Sequence, residues 1–122
     1  MIIDHIGLDV LDYERAKEFY SKALAPLGIE LIAEYEEKIA GFGKAGKPEF
    51  WISHGRATRP SIHVAFVTDD RKLVDNFYSA AISAGGKDNG KPGIREMYHP
   101  NYYGAFVLDP DGNNIEAVCH KG

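Results

Sequence analysis

The sequence predicts an α+β domain made of two copies of one β-α-β-β-β unit, with module boundaries near residues 1–57 and 58–122. Three observations carry this expectation: an internal repeat, strand-like alternation at the start of each copy, and a helical pattern behind it. Shifting the chain by 58 positions without a gap lays His5 on His63, Asp12 on Asp70 and Phe19-Tyr20-Ser21 on Phe77-Tyr78-Ser79. Ala23 then meets Ala81, and Gly28 meets Gly86. Seven of the 24 aligned positions are identical, where unrelated segments share only one or two. A period of this kind is the mark of a duplicated supersecondary unit.

The elements follow in order. Along Asp4–Val10 the residues Ile6, Leu8 and Val10 share one face, and His5, Gly7 and Asp9 share the other. That is the period of a half-buried strand. In the second copy, His63–Thr68, Val64 and Phe66 hold the matching apolar face. Asp12 and Asp70 then stand where a helix N-cap is expected. Ala16, Phe19, Tyr20, Ala23 and Leu24 recur at helical spacing, and Val74, Phe77, Tyr78, Ala81 and Ile82 repeat them. Gly28 and Gly86 are placed to end the two helices.

Three strands complete the first copy, at about 30–35, 38–42 and 49–53. In the second copy the segment from Asp88 to Gly93 reads as a loop, because it holds Asn89-Gly90 and Pro92-Gly93. Strands at 102–108 and 114–119 follow, joined by the turn signal Asp109-Pro110-Asp111-Gly112-Asn113.

Composition narrows the function classes. The chain has 122 residues, 44% of them hydrophobic and 26% charged, as expected of a globular domain. A net charge of −4 argues against a nucleic-acid partner, which needs clustered cations. No apolar run approaches the roughly 20 residues of a membrane span, and Met1–His5 has no signal-peptide character. A single cysteine, Cys119, suits a reducing cytoplasmic setting. Its parity on the last strand makes it a buried apolar residue.

Parity also picks out the candidate chemistry, since alternate residues of a strand face opposite ways. His5 and His63 lie opposite the helix-facing apolar residues, and Glu116 lies opposite Ile115 and Ala117. Three potential ligands therefore share the face away from the helices, which would be the inside of a cup if the repeats pair into one curved sheet. Two imidazoles and a carboxylate with open positions suit a divalent Zn, Ni, Fe, Mn or Co ion. A lone strand histidine is usually structural; two at repeat-equivalent positions, joined by a carboxylate on the same face, favour a site.

These residues resemble the glyoxalase / bleomycin-resistance / extradiol-dioxygenase superfamily, also called the vicinal oxygen chelate family. The resemblance rests on Asp4-His5-Ile6-Gly7-Leu8, on the Phe19-Tyr20 helix, on His63-Val64-Ala65-Phe66 and on the block from Asp109 to Glu116. It implies paired modules forming a cup around one metal, with His5, His63 and Glu116 as ligands, and a homodimer. It also implies an enzyme of lyase, isomerase or dioxygenase type. The substrate would be a small molecule that chelates the metal through neighbouring oxygens.

One departure stands out. The family's fourth ligand position, on the strand ending the first module, falls on Trp51, which cannot bind a metal and is expected to wall the cavity. Glu49 shares the face of Trp51 and is the weaker substitute. This lowers the case for glyoxalase I activity, where a second acidic residue handles the proton. In the segment Tyr98–Tyr103, His99 and Tyr103 are the expected proton-transfer residues, against the alternative of rim packing. Lys91 and Arg95 can draw an anionic group, and His120 is given no role. The competing expectation is a non-catalytic, drug-sequestering protein of the bleomycin-resistance type; a regulatory domain of the same fold is a third.

Overall fold

The computed structural model describes residues 3–57 and 60–122. Met1 and Ile2, part of the segment read for a leader, lie outside the described residues. So do Thr58 and Arg59, at the expected module boundary.

The first module runs β1 (Ile6–Val10), α1 (Tyr13–Ala23), a 3-10 turn (Ala25–Leu27), β2 (Glu30–Tyr35), β3 (Ile39–Lys44) and β4 (Lys47–His54). The second runs β5 (His63–Val67), α2 (Arg71–Ser83), β6 (Lys87–Ile94), β7 (Tyr103–Leu108) and β8 (Asn114–Cys119). Each builds a four-stranded mixed sheet, ordered β1-β4-β3-β2 and β5-β8-β7-β6. The orders match strand for strand, so the duplication seen in sequence is a duplication of topology.

Local signals act where sequence placed them, with two shifts. The Asp12 carboxylate accepts from the Arg15 N–H, and Asp70 accepts from the Lys72 N–H, capping both helices. Helix α1 stops at Leu24, and Gly28 closes the 3-10 turn beyond it. In the second copy Gly85, at φ +100°, takes the left-handed position expected of Gly86. Gly86 instead serves packing: a methyl there would come within 2.4 Å of Val107 and 2.7 Å of Phe19.

The segment from Asp88 to Gly93 is a strand, not a loop. It lies within β6, whose register against β7 slips between Asp88 and Gly90 and again between Gly90 and Gly93. An edge strand can hold Pro92 because one row of its N–H groups has no partner to serve, and bulges absorb the glycines.

Both sheets turn their apolar faces to one core. Phe19, Tyr20, Phe42, Phe77, Val74, Val107 and Ile115 are fully buried there, with Val64 and Phe66 packed against them. Helices α1 and α2 lie against each other, α1 on β4 and α2 on β7 and β8. The rings of Phe50 and Phe66, one from each module, sit 5.4 Å apart. Tyr20 of α1 donates its hydroxyl proton to Asp109, in the turn between β7 and β8. The modules are therefore joined through their interiors, and within one chain β1 and β5 do not pair. Each of these two strands has a neighbour on one side only.

Candidate functional site

The turn from Asp109 to Asn113 sets the geometry of the second module. Asp109 is buried, and its carboxylate accepts from the Asp111 and Asn113 N–H groups at 2.9 and 2.8 Å. The Asn113 side-chain amide donates to the same carboxylate at 3.0 Å, while its carbonyl oxygen accepts from the Ile62 N–H at 3.0 Å. The Asn114 N–H then bonds the Ile62 carbonyl. One asparagine thus ties the entry of β5 to the entry of β8 and fixes their parallel register, His63 opposite Asn114 and Ala65 opposite Glu116.

That register brings two of the expected ligands together. His63 Nε2 lies 2.8 Å from Glu116 Oε1. Glu116 is only 1% exposed although it sits on the face away from the core. It is covered by its neighbours: Phe106 is its partner on β7, and Tyr102 donates its hydroxyl proton to Oε2. Gly104 leaves room for this contact, since a methyl there would approach Glu116 Oε2 to 3.3 Å and the Tyr102 ring to 3.2 Å. Burial, then the hydrogen bond to Glu116 and its charge, push the Tyr102 phenol well above its ordinary pKa, so it stays a donor. A cavity of about 380 Å³ opens here, lined by His63, Tyr98, Tyr102, Phe106 and Glu116.

The donor pair fits a divalent ion. Two ligand atoms at neighbouring corners of a tetrahedral metal, each about 2.0–2.1 Å from it, stand about 3.3–3.4 Å apart. The imidazole nitrogen and carboxylate oxygen stand at hydrogen-bond distance, 2.8 Å, and would part by about half an ångström to share an ion. His63 is half exposed, its side chain at 51%, so an ion can reach it.

His5 is not part of this cluster in the same chain. Its Nδ1 lies 2.7 Å from Asp4 Oδ1 in an exposed setting. Among the described residues no group of three or more His, Cys, Asp or Glu converges on one point. His5 and Glu49 do line a second cavity, of about 490 Å³, which runs along β5 past His63, Val64 and Phe66. Glu49 pairs with Lys47 at 3.6 Å.

Trp51 occupies the place in module one that Glu116 occupies in module two. It pairs with Gly7 as Glu116 pairs with Ala65, the repeat equivalent of Gly7. Its indole lies flat over Gly41, where a methyl would come within 2.8 Å of the ring, and stacks on Tyr35 at 6.2 Å and 10°.

The two expected proton-transfer residues stand elsewhere. Tyr103 alternates onto the helix side, pairing with buried Cys119, and its hydroxyl donates to Asp75 of α2 at 2.6 Å. His99 Nε2 lies 2.9 Å from His120 Nδ1, and its Nδ1 accepts from the Asn101 N–H. Both histidines instead pack on Tyr102, with ring centroids 5.5 and 5.4 Å away. Tyr102 is the residue that sequence reasoning passed over. A signal existed: counted back from Phe106, it alternates onto the face of Glu116.

A profile described as Glyoxalase/Bleomycin resistance protein/Dioxygenase superfamily matches residues 2–117. The chain belongs to this superfamily. Among solved structures, this superfamily member is similar to a glyoxalase/bleomycin resistance protein from Albidiferax ferrireducens T118, at 27% identity and TM-score 0.79, covering 94% of this chain and 96% of that one. A glyoxalase/bleomycin resistance protein/dioxygenase family enzyme from Burkholderia phytofirmans PsJN shares the fold at 19% identity and TM-score 0.73, covering 96% and 97%. The V278E mutant of glyoxalase I from Zea mays matches at 27% identity and TM-score 0.70, over 95% of this chain but 45% of the maize chain. No curated protein sequence matches at a significant level. No helix among the described residues is long and apolar enough to cross a membrane.

Proposed function

We propose that this chain is a metal-dependent enzyme of its superfamily, acting on a small substrate that offers two neighbouring oxygens to a divalent ion. The observation that carries the reading is the His63–Glu116 pair, two ligand-type groups brought into contact at 2.8 Å with the carboxylate buried. His63 and Glu116 would hold the ion, with His5 as third ligand. When bound, the ion supplies Lewis-acid stabilisation of the negative charge that develops on substrate oxygen. The chain's own residues bind and orient: Tyr102 holds one carboxylate oxygen, leaving the other toward His63. Phe106 and Tyr98 wall the cavity.

Because both sheets turn inward to one core, the outer faces bearing His5 and the His63–Glu116 pair are turned away from it. We infer that a second copy of the chain supplies His5, its β1 lying beside β5 in a homodimer. The support is that β1 and β5 are repeat-equivalent five-residue strands, each with one side unpaired, and that an apolar cavity runs along β5.

Mixing tests both parts at once. His5→Ala and Glu116→Ala proteins should each lose tight metal binding, measured by elemental analysis after dialysis. A mixed dimer of the two should regain up to half the wild-type content, because one of its sites keeps all three ligands. Wild-type protein that retains no Zn, Ni, Fe, Mn or Co after loading would remove the metal reading. Metal regained in neither homodimer nor mixture, with wild type loaded, would remove the second copy as the source of His5, and metal kept by the His5→Ala homodimer would remove His5 as a ligand.

A second reading has its own support in the Trp51–Tyr35 stack, which replaces a ligand position by flat aromatic surface. Under it the cup sequesters a planar cationic compound without chemistry. Metal-independent quenching of Trp51 fluorescence by such a compound would favour it.

A further inference from the structure

We propose that Arg95 is the recognition point for an anionic group of the substrate, so that the site takes a small chelating acid with a second negative charge remote from its metal-binding oxygens. This rests on the reading of His63 and Glu116 as metal ligands.

The guanidinium is held, not loose. The Arg95 N–H donates to the Tyr102 carbonyl at 2.8 Å, which anchors the residue beside the loop that carries Tyr102. Its Nη2 donates to the Lys91 carbonyl at 2.7 Å, so Lys91 contributes its backbone here. The guanidinium carbon sits 5.4 Å from the centroid of Phe106, the strand partner of Glu116. The His63 imidazole lies 6.1 Å from the same ring. Arg95 and His63 therefore both neighbour the Phe106 ring, which lines the cavity of the His63–Glu116 pair.

The glycines of β6 make this arrangement possible. A methyl at Gly90 would meet the Phe106 ring at 2.8 Å and Arg95 Nη2 at 3.1 Å, and one at Gly93 would meet Nη1 at 3.1 Å. The bulges that give β6 its irregular register thus clear a bed for a stacked guanidinium. Among the described residues no carboxylate forms an ion pair with Arg95, in a chain whose net charge is −4. A planar cation on an aromatic face, with one of its five N–H groups committed to a carbonyl, keeps a fork that matches a carboxylate.

The test compares two 2-oxo acids of equal chain length on zinc-loaded protein by calorimetry at low ionic strength. One is 2-oxoadipate, with a distal carboxylate; the other is 2-oxohexanoate, with a methyl in its place. Wild type should bind 2-oxoadipate at least about tenfold more tightly, the worth of one charge-assisted contact. Arg95→Gln should bring the ratio close to one while leaving 2-oxohexanoate affinity unchanged, and Arg95→Lys should restore part of the preference. Equal binding by wild type, a preference that survives in Arg95→Gln, or failure of both acids to bind would overturn the proposal. Binding of 2-oxohexanoate that is indifferent to zinc would instead remove the metal reading, with the Arg95 ratio still deciding this one.

Discussion

Glu116 shows how a buried carboxylate is stabilised by a small number of contacts. Removed from water it needs hydrogen-bond partners, and it has one for each oxygen, His63 and Tyr102. Tyr102 is itself fixed by the rings of Tyr98, His99 and His120 and by its backbone bonds to Arg95 and His99. A group that orients a ligand from behind typically changes metal affinity by about 10–100-fold when removed. Tyr102→Phe should weaken zinc binding by that order, read by chelator competition, and should alter the visible spectrum of a cobalt-loaded sample. An unchanged spectrum and affinity would reduce Tyr102 to a packing residue. Asp109 is the other buried carboxylate on which several donors converge. Asp109→Ala strands the Tyr20 hydroxyl and the Asn113 amide without an acceptor. A loss of about 2–5 kcal/mol in unfolding free energy is expected, since each buried donor left unpaired costs about 1–3 kcal/mol. Denaturant melts of the variant check it, and a loss under about 1 kcal/mol would contradict the role given to this turn.

At the scale of elements, α1 is fastened to β2 by a polar clasp as well as by its apolar face. Glu34 of β2 accepts from the Tyr13 hydroxyl at 2.6 Å and pairs with Lys17 at 2.8 Å. Lys17, then the Tyr13 hydrogen bond, hold the Glu34 carboxyl below its ordinary pKa. A lowered folded-state pKa means that the clasp contributes fully above the usual carboxylate range and is lost as pH falls through the folded value. Titration of the Glu34 carboxyl by NMR should give a midpoint below the model-peptide value, moving upward in Lys17→Met. A midpoint that ignores the lysine would refute the attribution. Strand β6 carries the opposite lesson about elements. Its proline and glycines read locally as a loop, yet hydrogen bonds from β7 hold it as an edge strand. Local preference lost to a neighbour that the sequence does not announce.

For the whole molecule the decisive feature is that the two modules share a core through α1, α2 and the Phe50–Phe66 contact. Their outer faces, which bear His5 and the His63–Glu116 pair, are then turned away from that core. If a second copy supplies His5, metal retention must depend on protein concentration. Gel filtration with inline metal detection over a dilution series should show zinc leaving together with the dimer peak. Stoichiometric zinc on a monomer peak would break this link.

The duplication, the order of elements apart from β6, and the faces of β1, β5 and β8 were determined by the sequence alone. They follow from periodicities of 2 and 3.6 that any chain of this pattern must obey. Parity was enough to place His63 and Glu116 on one face, and the family resemblance put Trp51 where a ligand is expected. The same count, applied from Phe106, separates Tyr102 from Tyr103. Tertiary structure alone decided three matters: that β1 and β5 stay apart within the chain, that His99 turns to His120, and that Arg95 rests on Phe106. Each depends on which surfaces meet across sequence-distant elements. A one-dimensional pattern states which face a residue is on, and not which neighbour that face will find.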